Sequence, residues 1–216
     1  MRRLFGMLAA LMILVTACEP MGLLDVVVPP ENVLPEIDEL TGVARTEQEL
    51  TFARLASGVE AEVQQASFFA VQGQARSLVV RYQGQDPSEP PLLEFQVGAE
   101  SLLTLPNGLP VLPGDSVQIT VTLDPQRRFI FHFAPHGLTF STSNPARLRV
   151  NWSGADPDVN GDGVVTLEDE VRLHQFRLWQ RDAPELPWVR LPTKKHLDIK
   201  LLDGRVIHFT GFAMAD

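Results

Sequence analysis

The sequence contains a single cysteine, Cys18, among 216 residues. Secreted domains that depend on disulfides carry an even and larger set of cysteines, so a disulfide framework is excluded. Stability must come from a hydrophobic core, and hydrophobic residues make up 44% of the chain, enough for one domain of ordinary size. Basic residues are also few, with 18 Lys and Arg against 27 Asp and Glu. This acidic balance argues against nucleic acid and anionic lipid headgroups as partners.

Sequence motifs of the common enzyme classes are missing as well. The chain has no Gly-x-Ser-x-Gly nucleophile motif, no His-Glu-x-x-His zinc motif and no glycine-rich phosphate loop. His132 and His136 lie four residues apart, and His208 lies far along the chain, whereas a zinc site needs three or four ligands that converge. We therefore predict a non-enzymatic protein. The alternative is a metal-dependent hydrolase, which requires these histidines to meet carboxylates in one cleft.

The N-terminus lacks a hydrophobic run of the roughly 20 residues that a membrane-spanning helix needs. An apolar run of about 12 residues, Leu4 to Val15, follows a short basic start, which is the pattern of a signal peptide. It ends in Val15-Thr-Ala-Cys18, a segment that resembles a bacterial lipobox. The resemblance implies a signal peptide over residues 1–17 and acyl chains on Cys18 as the mature N-terminus. The alternative is a plain secretory signal with an incidental cysteine.

Lipidation would place the mature protein in the cell envelope, anchored to a membrane and facing away from the cytoplasm. Cleavage removes Arg2 and Arg3 and leaves 16 basic against 27 acidic residues, a formal charge of −11. Glu19, and not aspartate, follows the cysteine. By analogy with lipoprotein sorting in some Gram-negative bacteria, this residue favours the outer membrane.

Residues 18–58 have the composition of a tether. Four prolines occur before residue 41 without any hydrophobic periodicity, and such segments are extended linkers. Near the end of the tether, Thr46-Glu-Gln-Glu49 has a capping-box pattern, which predicts a short helix over 46–57.

Residues 59–216 have the sequence pattern of a mainly β domain. Val117, Ile119, Val121 and Leu123 alternate with polar residues, as in a half-buried strand. Many short strands separated by turns favour an antiparallel β-sandwich over alternating strands and helices. The predicted strands are Val59–Val71, Ser77–Tyr82, Leu92–Val97, Ser116–Leu123, Phe129–Phe133, Leu138–Phe140, Ala146–Trp152, Leu186–Leu191, Leu197–Leu201 and Arg205–Met214.

Residues 158–169 have the pattern of an EF-hand-like calcium-binding loop, Asp-Val-Asn-Gly-Asp-Gly-Val-Val-Thr-Leu-Glu-Asp. Calcium needs about 6–8 oxygen ligands, and a short segment supplies them only if its backbone turns sharply. Gly163 at loop position 6 permits that turn because glycine enters φ > 0 without steric cost. The expected ligands are the side chains of Asp158, Asn160, Asp162, Thr166 and Asp169 and the carbonyl of Val164.

Calcium is the predicted cofactor, and we expect it to bind weakly. Asp169 stands at position 12, where glutamate is commoner, and its shorter side chain makes bidentate ligation harder, so the dissociation constant should be on the order of 10⁻⁴–10⁻³ M. The expected role is structural: the cation offsets carboxylate repulsion and fixes the start of the next helix. A regulatory switch would need a helix pair, and there is only one such loop. The alternative is a surface turn that binds nothing.

A helix over Leu167–Gln180 is predicted after the loop, because apolar residues recur at spacings of three and four. Loop and helix together form a predicted insertion in the sandwich over 153–185. Trp152, Trp179 and Trp188 bracket this insertion. We expect them to pack the helix onto the sandwich, the alternative being a platform on which sugars stack.

Four sequence segments of the β region occur in an order that resembles that of a known family. They are 114–122, Phe131-His-Phe-Ala-Pro-His-Gly-Leu-Thr-Phe140, 145–150 and His208-Phe-Thr-Gly-Phe-Ala-Met-Ala215. The similarity extends over about residues 77–216. This region resembles bacterial secreted β-sandwich domains related to the domain shared by ankyrins and zona-occludens proteins. The resemblance implies a fold and an extracytoplasmic setting, and it carries no catalytic residue. The calcium-type segment departs from that family and resembles half of a dockerin repeat, in which two such loops occur.

These expectations combine into a membrane-anchored envelope lipoprotein with a structural or adhesive role. One alternative is a surface module that binds an envelope protein or glycan, through the insertion or the sandwich edge. A contiguous exposed aromatic patch at the three tryptophans would support that alternative, and burial of all three would count against it.

Overall fold

A computed structural model describes the backbone of residues 36–37 and all of residues 42–216. The predicted signal peptide, Cys18 and the proline-rich part of the tether lie outside the described residues. Within the described part of the chain, no helix is long and apolar enough to cross a bilayer.

The described chain is mainly β, with antiparallel strand pairing and one α-helix within the described residues. The strands are β1 (Glu36–Ile37), β2 (Ala44–Arg45), β3 (Gln65–Val71), β4 (Arg76–Val80), β5 (Leu93–Val97), β6 (Leu102–Thr104), β7 (Ser116–Leu123), β8 (Ile130–Ala134), β9 (Thr139–Phe140), β10 (Ala146–Asn151), β11 (Arg177–Arg181), β12 (Trp188–Arg190), β13 (Thr193–His196), β14 (Leu201–Val206) and β15 (Gly211–Ala215). The helix α1 spans Leu167–Gln175, and a 3₁₀ turn spans Glu47–Glu49.

The strands form two large sheets and one small one. The six-stranded sheet has the order β1-β13-β14-β10-β5-β4, and the seven-stranded sheet has the order β2-β12-β11-β15-β8-β7-β3. Strands β6 and β9 pair separately. The expectation of an antiparallel, mainly β sandwich is confirmed at this level.

An aromatic cluster fills the space between the large sheets. Phe95 from β5 and Phe133 from β8 belong to different sheets, yet their ring centroids lie 4.8 Å apart. Phe209 lies 5.4 Å from Phe95 and 5.2 Å from Phe133. Phe140 lies 6.0 Å from Phe95. Because facing strands alternate apolar and polar residues, as in β7 with its buried Val117, Ile119, Val121 and Leu123, the two inner faces form one core.

The predicted helix over 46–57 is wrong apart from its first turn. Thr46 and Glu49 do form the expected capping box, but the helix is only the 3₁₀ turn. Residues beyond it run along the sandwich: Phe52 bridges to Ala215, and the Ala53 N–H donates to the Met214 carbonyl at 3.0 Å. Residues 44–58, which the sequence assigns to the tether, therefore contact the sheets, because their backbone hydrogen bonds are satisfied there.

The C-terminal strands have different bounds from those that the sequence predicts. The predicted strand over 197–201 is wrong, since residues 197–200 form the turn between β13 and β14, where Lys200 adopts a positive φ of 51°, and Leu201 begins β14. The strand before the turn, Thr193-Lys-Lys-His196, is too basic to be recognised by its apolar residues. It is nevertheless a strand because it pairs along its whole length with β14.

The helix predicted over 167–180 ends early, at Gln175. Residues 177–181 are instead strand β11, which pairs with β15 and β12 inside the seven-stranded sheet. Leu178 and Trp179 are both buried there, so the chain gains sheet hydrogen bonds and core contacts that overrule helical periodicity. The second part of the predicted insertion over 153–185 thus belongs to the sandwich.

Candidate metal centre

The segment that leads from β10 into the calcium-type loop is fastened to the sandwich. Leu55 and Ala155 form a β-bridge, and the Asp156 N–H donates to the Arg54 carbonyl at 2.8 Å. Trp152 is buried, and its ring centroid lies 6.4 Å from that of Phe176, just beyond α1. The loop therefore leaves and rejoins the sandwich at fixed points.

Tyr82 holds the first turn of this segment. Its hydroxyl donates to the Asn151 carbonyl at 2.5 Å and accepts from the Gly154 N–H at 3.3 Å. Burial raises the pKa of Tyr82 well above its usual range, so it stays protonated and serves as this donor. Gly154 lies so close that an added Cβ would stand 2.5 Å from Tyr82 Cε1 and 2.9 Å from Val59 Cγ1.

Substituting alanine for Gly154 should therefore lower the free energy of unfolding by about 1–3 kcal/mol, the usual cost of overpacking a filled site. Urea denaturation monitored by tryptophan fluorescence measures the loss. Gly211→Ala is the matched control, because its added Cβ has no neighbour nearer than 3.7 Å. An equal loss in both variants would contradict steric crowding at Gly154 as the cause.

Asp158 organises the turn of the loop itself. Its Oδ1 accepts from the N–H groups of Gly161 at 2.8 Å and Asp162 at 3.2 Å, and its Oδ2 accepts from Gly163 at 2.7 Å. Gly163 has the positive φ, 87°, that the sequence predicts for position 6. The first carboxylate thus lies inside a tightly wound backbone.

Asn160 and Asp162 lie side by side in the same turn. Asn160 Nδ2 donates to Asp162 Oδ2 at 3.0 Å, and Asn160 Oδ1 accepts from the Asp162 N–H at 2.9 Å. The remaining carboxylate oxygen, Asp162 Oδ1, accepts from the Val164 N–H at 2.9 Å. Positions 1, 3 and 5 of the loop are therefore gathered on one short stretch, and both Asn160 and Asp162 are exposed to solvent.

Asp169 closes the loop from its other end. Its Oδ1 accepts from the N–H groups of Val159 at 3.1 Å and Asn160 at 3.2 Å, and its Oδ2 accepts from the N–H of Thr166 at 2.9 Å and from Thr166 Oγ1 at 2.7 Å. These donors, the Thr166 hydroxyl foremost, hold the pKa of Asp169 below its usual value. The buried carboxylate is ionised at neutral pH.

The same contacts make Asp169 part of the helix cap. Thr166 is the N-cap of α1 and Asp169 its third residue, a reciprocal capping box. The Thr-x-x-Asp spacing is visible in the sequence, where the calcium-loop pattern assigns both residues as ligands. Because both carboxylate oxygens already accept two hydrogen bonds, Asp169 can ligate a cation only by giving up some of them.

The two remaining predicted ligands lie at the solvent-facing side of the loop. Val164 and Thr166 are both exposed. Asp156, which the sequence reading missed, supports the loop, because its Oδ1 accepts from the Asp158 N–H at 3.1 Å. Within residues 42–216, no three His, Cys, Asp or Glu side chains lie close enough together to hold a metal ion.

The histidines that the alternative hydrolase would need make separate contacts in the fold. His208 Nε2 lies 2.9 Å from Asp182 Oδ1. His132 lies in β8 opposite Gly211, and burial lowers its pKa. Within the described residues, neither histidine joins a second histidine and a carboxylate in a group that could hold a metal ion.

All three tryptophans are buried, with exposed fractions of 6% for Trp152, 2% for Trp179 and 0% for Trp188. This burial counts against a sugar-stacking platform built from them. Trp152 contacts the end of the helix, as expected, whereas Trp188 packs against Phe52 at 5.6 Å and Trp179 donates from Nε1 to the Ala215 carbonyl at 3.1 Å. The last two therefore belong to the sandwich and its N-terminal segment.

Comparisons with known proteins found no matching family model, no similar curated protein and no similar solved structure. Any function must therefore be argued from the chemistry of the loop, the N-terminal sequence and the surface.

Proposed function

We propose that this chain is a non-enzymatic lipoprotein of the cell envelope, anchored through Cys18, whose loop 158–169 binds calcium. The bound ion has a structural role: it joins the start of α1 to the sandwich and so stiffens a surface used for adhesion or for envelope architecture. The resemblance to lipoprotein signals and to extracytoplasmic β-sandwich domains supports the location.

The observation that carries the calcium proposal is the winding of the loop around Asp158. Three consecutive N–H groups point at this carboxylate, and Asn160 and Asp162 contact one another beside it. Oxygen donors grouped by a short turn are the ligand type that calcium prefers. Their mutual repulsion, with Glu168 and Glu170 nearby in sequence, would fall when a divalent cation binds.

The donor set fits calcium better in the first half of the loop than in the second. Asp158 Oδ2, Asn160 Oδ1 and both carboxylate oxygens of Asp162 each accept a single hydrogen bond, so each keeps a lone pair for a cation. Asp169 would lose some of its hydrogen bonds when it ligates the cation. This loss reduces the net free energy gained when calcium binds. Both features agree with a weak site of the extracellular type.

Calcium at 10–100 times its dissociation constant should stabilise the soluble domain by about 1–3 kcal/mol and raise its thermal midpoint by about 3–10 °C. Differential scanning calorimetry with calcium or with a chelator measures the increment. Asp158→Ala and Asp162→Ala should each abolish it, whatever they do to the midpoint without calcium.

Asp86→Ala is the matched control for this experiment. Asp86 is also an aspartate in a turn that accepts a backbone N–H bond, from Ser88 at 2.8 Å, but it lies outside the loop. Its variant should keep the full calcium increment. Identical melting of the unaltered protein in calcium and in chelator would refute the structural calcium site.

A second candidate function is a protein-binding surface on the loop and helix. Four large apolar side chains are exposed here, Val164 at 61%, Val165 at 60%, Leu167 at 74% and Val171 at 48%. Grouped exposed apolar residues are typical of interaction sites. Capture from envelope extract that requires calcium and is lost in Leu167→Asp would favour this function over a purely structural one.

A further inference from the structure

A cavity of about 780 Å³ lies at one end of the six-stranded sheet, away from the calcium-type loop. Strands β10, β13 and β14 line it together with the loop residues 98–101 and 143–145. Its volume is within the range of about 300–1,000 Å³ that small-molecule sites occupy. None of its lining residues belongs to loop 158–169, so the cavity and the calcium-type loop share no residue.

The cavity gathers positive charge on a protein that is acidic overall. Arg147, Lys194 and Arg205 line it, against two carboxylates, Asp203 and Glu100, while the whole chain carries a formal charge of −9. A local excess of cations on an anionic surface raises the local concentration of anionic ligands.

Both carboxylates of the cavity already form ion pairs or hydrogen bonds with neighbouring side chains. Asp203 is buried, forms an ion pair with Arg147, and also accepts from Arg149 Nε at 3.4 Å. Glu100 Oε2 accepts from Asn144 Nδ2 at 3.2 Å. Among the described residues, no carboxylate lies within 4.0 Å of the side-chain nitrogens of Lys194 or Arg205. Lys194 stands directly opposite Asp203 across β13 and β14, so Arg205 is the cavity cation that has neither an ion pair nor an acidic residue opposite it in the described strand register.

The strand register makes the excess positive charge of the cavity destabilising when no ligand is bound. Arg147 and Arg205 stand directly opposite each other across the antiparallel pair β10 and β14, and like charges in such positions destabilise a sheet. The neighbouring row is balanced, because Glu94, Arg149, Asp203 and Lys194 alternate in sign across β5, β10, β14 and β13. The arginine pair is thus the exception on this face, and an anion between the two would relieve it.

Neutral groups of the cavity suit a hydroxyl-bearing ligand. Ser143 and Asn144 are exposed on the loop before Pro145, and Pro192 lies beside Thr193 on the opposite edge. Prolines restrict the backbone on both sides, so the donors and acceptors are held in place before a ligand arrives.

We propose that this cavity binds a phosphate-bearing, hydroxyl-rich molecule of sugar size. Arg205 and Lys194 contact the phosphate, with Arg147 as the third cation, and Ser143 and Asn144 contact hydroxyl groups. Guanidinium groups bind phosphate oxygens through paired charge-assisted hydrogen bonds, which explains arginine at the centre of the site. The phosphate comes either from a free sugar phosphate or from the headgroup of a phospholipid.

Isothermal titration of the soluble domain with glucose 6-phosphate, inorganic phosphate and glucose tests the site. We expect glucose 6-phosphate to bind more tightly than phosphate, glucose to give no signal, and added salt to weaken binding. Arg205→Glu should weaken glucose 6-phosphate binding by about tenfold or more, since one charge-assisted contact is replaced by repulsion.

Arg54→Ala is the control, because Arg54 is an exposed arginine outside the cavity and its loss should leave binding unchanged. Arg205→Glu should keep or raise the thermal midpoint, since it removes the like-charge pair, so lost binding cannot be assigned to misfolding. Vesicles containing phosphatidylglycerol form the second arm. If they bind in an Arg205-dependent way and glucose 6-phosphate does not, the headgroup is the source. Failure of both ligands, or binding that Arg205→Glu leaves intact, would overturn the proposal.

Discussion

Replacing Phe95 with alanine is expected to lower the free energy of unfolding by about 3–5 kcal/mol. Phe95 is completely buried and contacts three other rings, Phe133 at 4.8 Å, Phe209 at 5.4 Å and Phe140 at 6.0 Å. Its removal would leave a cavity between the sheets and would also remove aromatic contacts, each worth about 0.5–1.5 kcal/mol beyond the buried area.

Guanidinium denaturation of the soluble domain measures this loss. Phe69→Ala is the matched control, because Phe69 is also in a strand but is 54% exposed, and its loss should stay within about 0.5 kcal/mol. Comparable effects of the two substitutions would mean that the cluster at Phe95 does not join the sheets.

Changing Cys18 to serine should release the protein from the membrane almost completely. Two acyl chains give stable anchoring because each buried methylene contributes about 0.8 kcal/mol, and a serine cannot carry the thioether-linked lipid. Cell fractionation and incorporation of labelled fatty acid measure the change. Because the described hydrophobic core is built from residues between Leu50 and Ala215, the released protein should melt at the same temperature as the domain purified without its leader.

Recovery of Cys18→Ser in the membrane fraction with unchanged labelling would contradict the anchor. Loss of labelling with continued membrane association would instead indicate an uncleaved signal segment, and the lipobox interpretation would then fail although secretion would not.

Local patterns in the sequence predicted those parts of the fold that local chemistry decides. The alternation over Ser116–Leu123 gave the bounds of β7 because a two-residue period needs no knowledge of partners. The strand Thr193–His196 escaped notice because Lys195 is buried, its ammonium group lying 5.3 Å from the ring of Trp152. The burial of a lysine can be predicted only when the aromatic ring that covers its side chain, which is remote in sequence, is known.

The candidate metal centre shows the same division. Oxygen spacing and glycine position predicted the tight turn around Asp158 because all its hydrogen bonds are local. The use of Asp169 depends on closure of the loop, which brings the N–H groups of Val159 and Asn160 to its carboxylate. The early end of α1 depends on β15, more than thirty residues away in sequence, and periodicity within the helix contains no information about it.

The first two strands have a mechanical consequence. β1 and β2 are only two residues long and form the outer edge of one large sheet each. A pull from an anchor at the N-terminus reaches these short pairings before it reaches the buried aromatic rings. Once peeled, the stretch from residue 36 to 45 could reach a full extended length of up to about 33–36 Å. With the proposed anchor at Cys18, we therefore expect these two short pairings to open under load before the buried core of the sandwich.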